Sequence, residues 1–220
     1  MSVKSFFRKV LWYQKKHGTV HLIKLFLERN WQRFNKKEFM YLLDLKTMSV
    51  DNSILRGNIS VESYSSQEDI PSKEMEQLVK LKSIEILRPA LRSFFDRCAT
   101  LWLAKQDDKP VSLCWTITGG FKGYYSGLHV WHDEAIILAV ETFSKFRGHN
   151  YCPIMIDLIC ERLKEGGISR VYIGTHIKNN PMQRSLSKTN AKRIGAVRYC
   201  GILKWYIVIW DKNSLMIDCN

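Results

Sequence analysis

The residues richest in chemistry lie between 135 and 151. An apolar run, Ala135 to Val140, leads into Glu141-Thr142-Phe143, then into the basic loop Lys145-Phe146-Arg147-Gly148-His149-Asn150, and Tyr151 opens an amphipathic segment. A strand, a basic loop and a helix in series build an anion site. The first turn of a helix leaves backbone N–H groups unpaired, and its dipole turns their positive end toward the loop. Lys145 and Arg147 add charge, and Gly148 lets a phosphate approach the backbone closely. The expected ligand is a nucleotide-bearing cofactor lying across a sheet, its diphosphate in this loop. Glu141 sits directly before the loop. A carboxylate there can take a proton through water, or it can face solvent or pair with a lysine; both readings stay open. His129, His132, Asp133 and Glu134 form a second polar cluster. It offers no further ligand at fixed spacing, so no metal is expected. His176 is another candidate base.

Those side chains need elements to hold them. Residues 152–165 place Ile156, Ile159 and Leu163 at helical spacing, with Pro153 in the first turn and Gly166-Gly167 as the stop. Residues 170–176 read as a strand that Asn179-Asn180-Pro181 breaks. A second helix is expected to run on to Arg193-Ile194, with Gly195 as its end. Strands follow near 197–201 and 204–210. Upstream, 101–105 and 111–117 flank the turn Gln106-Asp107-Asp108-Lys109-Pro110, a hairpin signature. A helix is expected from Pro71 to Phe95, kinked or split at Pro89. In it Leu78 and Leu81 share a stripe, and Val79, Ile86 and Leu87 widen the apolar side. Residues 39–45 form a candidate first strand, and 60–72 a Ser-rich loop.

The loop resembles the acetyl-CoA-binding motif of the GNAT acyltransferase superfamily, Q/R-x-x-G-x-G/A, as Lys145-Phe146-Arg147-Gly148-His149-Asn150. Lys stands at the first position. Asn150 replaces Gly or Ala, and Asn tolerates the left-handed backbone better than most residues. The element order is also similar, over about residues 38–212. Asn180-Pro181-Met182 resembles the turn of the family's second motif, and Asn190 to Ala196 its close, with a helix about one turn longer than usual. No Tyr lies between 181 and 195, so the family's general acid has no counterpart there.

The resemblance implies an α+β fold: a mixed, mostly antiparallel twisted sheet flanked by helices, here with an N-terminal basic helical extension. It implies direct attack of an amine on the thioester of acetyl-CoA, with no metal. The pantetheine arm would lie along the fourth strand, 136–143. Thr142, Phe143, Lys145, Phe146, Arg147, Gly148, His149, Asn150 and Tyr151 become the cofactor-binding segment. The N–H of Thr142 would polarise the thioester oxygen, Glu141 would act as base, and Asn180 and Ser185 would meet the pantetheine arm or the acceptor. The acceptor would be a small-molecule amine or amino sugar. Alternatives are a binding or scaffold protein of the same fold at a membrane surface, and a transferase of aminoacyl or longer acyl groups.

The net charge is +13, and residues 1–36 carry nine Lys or Arg against one acid, Glu28. Apolar residues there recur at helical spacing on either side of Gly18. This suggests two domains, a basic amphipathic helical extension (1–36) and an acyltransferase domain (37–220). The extension could dock on the core, join a second copy in a homodimer, or lie on anionic lipid through Trp12, Trp31 and its basic flanks. Basic charge also permits nucleic acid, but no nucleic-acid-binding pattern appears, so none is expected. No run of 18 apolar residues suggests a membrane span, and no secretory signal is visible. Six cysteines without a C-x-x-C pair fit buried free thiols in a reducing compartment. The expected location is the cytoplasm, with peripheral contact at the inner membrane face as an option. No G-x-S-x-G elbow, P-loop or G-x-G-x-x-G occurs, which speaks against hydrolase, kinase and dehydrogenase chemistry. Residues 48–70 and 119–134 are the expected acceptor loops. Gly119, Gly120, Gly123 and Gly127, with Phe121, Tyr124 and Tyr125, suggest a flexible aromatic rim.

Overall fold

A computed structural model describes residues 35–48, 58–119, 130–200 and 205–210. The proposed extension (1–34 of it), the aromatic rim and His129 lie outside the described residues. The elements are strands β1 (Asn35–Asp44) and β2 (Ile59–Tyr64), helices α1 (Ser72–Leu81) and α2 (Ile84–Phe95), and strands β3 (Thr100–Gln106), β4 (Lys109–Thr118) and β5 (Glu134–Thr142). Helix α3 (Tyr151–Glu165), strand β6 (Arg170–His176), helix α4 (Asn180–Leu186) and strands β7 (Lys192–Cys200) and β8 (Trp205–Trp210) follow. One eight-stranded sheet runs in the order β2-β3-β4-β5-β6-β1-β7-β8. Every neighbouring pair is antiparallel except β5 with β6.

Side-chain alternation builds the core in two layers. Leu101 and Leu103 of β3 face α1 and α2, joining Leu78, Leu87, Leu91, Leu113 and Trp115. Trp102 and Ala104 face the other way, joining Met155, Ile156 and Ile159 of α3. Strand β4 is buried from Pro110 to Ile117, as a central strand covered on both faces must be. Asp107 and Asp108 take φ of 50° and 60° in the β3–β4 turn, the left-handed pair that a two-residue hairpin needs.

Several expectations are corrected. Residues 59–64, read as part of a polar loop, form edge strand β2, paired with β3 from Ile59↔Gln106 to Tyr64↔Leu101. An edge strand buries few side chains, so its composition stays polar. The expected first strand, 39–45, forms as β1 (Asn35–Asp44). It enters the interior, between β6 (Glu38↔His176) and β7 (Glu38↔Val197). With β2 opening the row, Glu134–Thr142 remains fourth along the sheet. The helix over 71–95 divides at Lys82-Ser83, where ψ turns to 127° and 146°. Pro89 lies within α2, at the exposed face. Ile86 is 58% exposed and does not widen the apolar side. Helix α4 stops at Leu186, and 192–200 are strand, so the helix is not extended to Arg193-Ile194. Gly195 is a strand residue between Met40 and Trp210. The segment's β-branched and aromatic residues pair with β1, and that packing outweighs its helical spacing.

Candidate functional site

Strand β5 changes character halfway. Its parallel pairing with β6 ends at Ile137↔Ile173. On the other side, Trp115 pairs with Leu138 and Leu113 with Glu141, so one extra residue enters β5. Ala139 absorbs it at φ 48°. Such a bulge bends the strand and re-aims the side chains beyond it. Past the bulge β5 and β6 separate, and a cleft of about 550 Å³ opens between the end of β5, the loop before α3 and helix α4.

The wall from β5 is Val140, Glu141 and Thr142. Phe143 N donates to Val111 O on β4 at 3.1 Å. Neighbouring amides of a strand point to opposite edges, so the Thr142 N–H is turned away from β4, toward the gap. Ser112 Oγ donates to Glu141 O at 2.9 Å and lies 3.1 Å from Thr142 Oγ1. Glu141 Oε2 accepts from Lys82 Nζ at 2.5 Å, both side chains partly exposed. The pairing reading of Glu141 therefore holds in this state.

The loop folds back on the strand. Ser144–Phe146 make one 3-10 turn, and Arg147 Nε donates to Thr142 O at 3.2 Å. Gly148 has φ 90°, and a Cβ there would meet no atom within 4 Å. That is an open floor over which an anion can settle. Asn150 has φ 61°, the left-handed geometry expected for it. Its side chain makes no capping bond to α3, which leaves the first-turn amides to the cleft. Asn150 Oδ1 instead accepts from Lys188 Nζ at 2.6 Å. Arg147, Arg184 and Lys188 line the cleft against the single carboxylate of Glu141, so its charge suits an anion. Cys152 also lines it; burial pushes its thiol up to about 11, so it stays protonated at neutral pH.

Of the residues named from sequence, the structure brings Glu141, Thr142, Phe146, Arg147, Gly148, Asn150, Tyr151 and Ser185 to this cleft. Phe143 is buried in the core under α1 and α2. Lys145 and His149 are exposed beside the cleft rather than lining it. Asn180 is exposed and does not line the cleft. Asn179 lines the cleft in its place and caps α4 through Met182 N at 3.3 Å. The sequence reading missed Asn179, Arg184 and Lys188. Pro181, Arg184 and Ser185 recur at a spacing of three to four, the signal of one helical face; Lys188 lies past the end of α4 and joins them from the turn that follows. His176 is exposed outside the cleft, its Nδ1 accepting from Lys178 N at 3.2 Å. The second polar cluster is tied into the fold. Asp133 Oδ2 accepts from Ser169 Oγ at 2.7 Å, which holds the carboxyl below its usual value. Glu134, 2% exposed, accepts from Tyr172 Oη at 3.1 Å and Trp131 N at 3.0 Å.

Solved structures share this architecture. The N-acetyltransferase region of a fungal multi-domain GH3 beta-N-acetylglucosaminidase, described as a GCN5-related glucosamine N-acetyltransferase, superposes with a TM-score of 0.54 at 15% identity, over 74% of this chain and 20% of that one. A protein from Novosphingobium aromaticivorans assigned to the GNAT family of acetyltransferases gives 0.50 at 12% identity, over 74% and 62%. A tandem GNAT protein of the clavulanic acid biosynthesis pathway gives 0.50 at 14%, over 72% and 50%. This chain thus spans less than two thirds of each of these proteins, and at such identity the likeness is one of fold. No curated protein matches the chain. The sequence model of the acetyltransferase (GNAT) family matches residues 69–188, more than half of the chain, from just before α1 to just after α4. With the bulged strand, the diverging β6 and the loop before α3 inside that span, the chain belongs to the GNAT family of acetyltransferases.

Proposed function

We propose that this chain is an acetyl-CoA-dependent transferase that moves an acetyl group onto the amine of a small molecule or amino sugar. The observation that carries the reading is the cleft where β5 leaves β6, edged by Gly148 and the first turn of α3. Acetyl-CoA supplies a thioester whose acetyl carbon is open to an amine. The chain's own groups do the rest. The amides of residues 148–152 and the charges of Arg147, Arg184 and Lys188 hold the diphosphate; the Phe146 and Arg147 amides, expected to join them, already donate to Phe143 O and Ser144 O. The pantetheine arm runs along 140–142, in the place of a missing strand neighbour. The N–H of Thr142 donates to the thioester oxygen as charge gathers there, and it needs no reorganisation because the strand already fixes it. Glu141 takes the proton of the amine through water. Ser185 lies against the arm.

Isothermal titration tests this. Acetyl-CoA should bind, and Gly148→Val should weaken binding at least tenfold; absence of binding at millimolar acetyl-CoA overturns the reading. A second reading, a GNAT-fold binding protein without activity, draws on the Lys82 contact to Glu141 and the absence of Tyr between 181 and 195. Acetyl transfer to a panel of amines, compared with Glu141→Gln, separates the two: turnover that falls in the variant supports catalysis. Residues 1–36 we assign to a basic extension whose last two residues enter β1. Among the described residues no helix is long and apolar enough to cross a membrane. Cytoplasmic location and a peripheral lipid contact belong to this same reading, tested by co-sedimentation with anionic vesicles.

A further inference from the structure

Helix α1 lies across the strands and is fastened at both ends by ion pairs of opposite sense. At its N-terminal end Glu74 pairs with Lys105 of β3. Just past its C-terminal end Lys82 pairs with Glu141 of β5 at 2.5 Å. Eight residues of helix rise about 12 Å, and strands two places apart are separated by about 10 Å. The span of the helix therefore matches the distance its two anchors must bridge. Glu74 is 8% exposed and Lys105 5% exposed, so the first anchor is buried and holds the helix. The second reaches the cleft through Glu141, which lines it, and both its side chains are partly exposed, so a bound molecule can reach it.

That second anchor conflicts with the chemistry proposed above. The carboxylate oxygen that should meet the amine is already taken by an ammonium. A fixed cation at this point also repels an incoming ammonium. The conflict ends if the acceptor brings its own anion: Lys82 turns to that anion, and Glu141 is released to the amine. We infer that the acceptor is a small amine carrying an acidic group, carboxylate or phosphate, within a few bonds of the nitrogen, and that Lys82 is the residue that selects it. This rests on the proposed acetyl transfer at the same cleft. In the step itself the amine nitrogen bonds to the acetyl carbon, the carbon–sulfur bond breaks, the thiolate leaves on coenzyme A, and the amine's proton passes to Glu141.

The test uses matched acceptors with the full chain: glucosamine against glucosamine 6-phosphate for phosphate, and amino acids against their amides for carboxylate. The acidic member of at least one pair should show a higher kcat/KM by roughly tenfold to a hundredfold, the range of one charge-assisted contact. Lys82→Met should erase that preference, and Lys82→Glu should reverse it toward diamines. Acetyl-CoA affinity should stay unchanged in both variants, which also shows that they fold. Whichever pair responds identifies the anion. Equal use of acidic and neutral acceptors, or a preference that survives in Lys82→Met, overturns the inference while leaving acetyl transfer intact. Loss of acetyl-CoA binding in the unaltered chain overturns the transfer reading itself.

Discussion

Gly148 and Asn150 both hold left-handed backbone, and they do so for different reasons. At Gly148 the φ of 90° carries no steric cost, and the missing Cβ leaves the space where phosphate oxygens would lie. Gly148→Ala should cost about 1–2 kcal/mol of stability from backbone strain alone, read by urea denaturation, and should also weaken acetyl-CoA binding. Asn150 accepts from Lys188, which draws an ammonium from beyond α4 to the edge of the cleft. Lys188→Met should weaken acetyl-CoA about tenfold, the scale of one hydrogen bond to a charged group. Its effect should shrink as salt rises, because the site is exposed and screened. Titration at two ionic strengths checks both.

The clamp on α1 makes the next prediction. Lys105 reaches both Glu62 and Glu74, and Tyr64 Oη lies within hydrogen-bond distance of both carboxylates, its one proton shared between them. These four side chains join β2, β3 and α1. The hydrogen bond from Lys105, then that from Tyr64, hold Glu62 below its ordinary 4.5. A carboxyl lowered in the folded chain adds stability that is present above its unfolded value and is lost as pH falls through the folded one. Lys105 has the opposite sign. Burial opposes its charge, but the bonds to Glu62 and Glu74 prevail and raise it above 10.5. Its share is complete below that value and fades as pH climbs through the raised one. The clamp is thus intact between about pH 5 and pH 10, and thermal melts should fall off on the acid side first. Lys105→Met leaves Glu74 buried without its cation and should cost about 3 kcal/mol. It should also flatten the acid limb of the melting curve. An unchanged acid limb in that variant would remove the clamp as the cause.

Across the molecule, β1 is the strand that joins two halves. It separates the β2–β6 sheet, which carries the cleft, from β7 and β8. Removing residues 35–44 exposes the ladders of β6 and β7 together and empties the core around Met40 and Leu43, both fully buried. The deletion should abolish the cooperative melt seen by circular dichroism, whereas removing β8 from the sheet's end should only lower its midpoint. β1 and β2, consecutive along the chain, occupy the sixth and first places of the sheet. Such non-local pairing makes folding slow. A packing variant inside one layer, Ile156→Ala, should cost about 2–5 kcal/mol without changing the topology.

The amphipathic stripe of α3, the hairpin at Asp107-Asp108, strand β6 and the turn that leads into α3 were all legible from the chain alone. Each rests on interactions between residues close in sequence: a turn that needs positive φ, a helix face repeating every three or four residues, amides freed at a helix start. Strand β2, the end of α4 and the placing of β1 were not legible. A polar edge strand looks like a loop until β3 pairs with it, and Lys192 to Cys200 become a strand because β1 supplies the partner. The same holds in the cleft. The loop motif named residues that line the cleft, whereas Lys82 meets Glu141 across 59 positions and Lys188 meets Asn150 across 38. Pairings at that range follow from how helices cross strands, which local spacing does not encode.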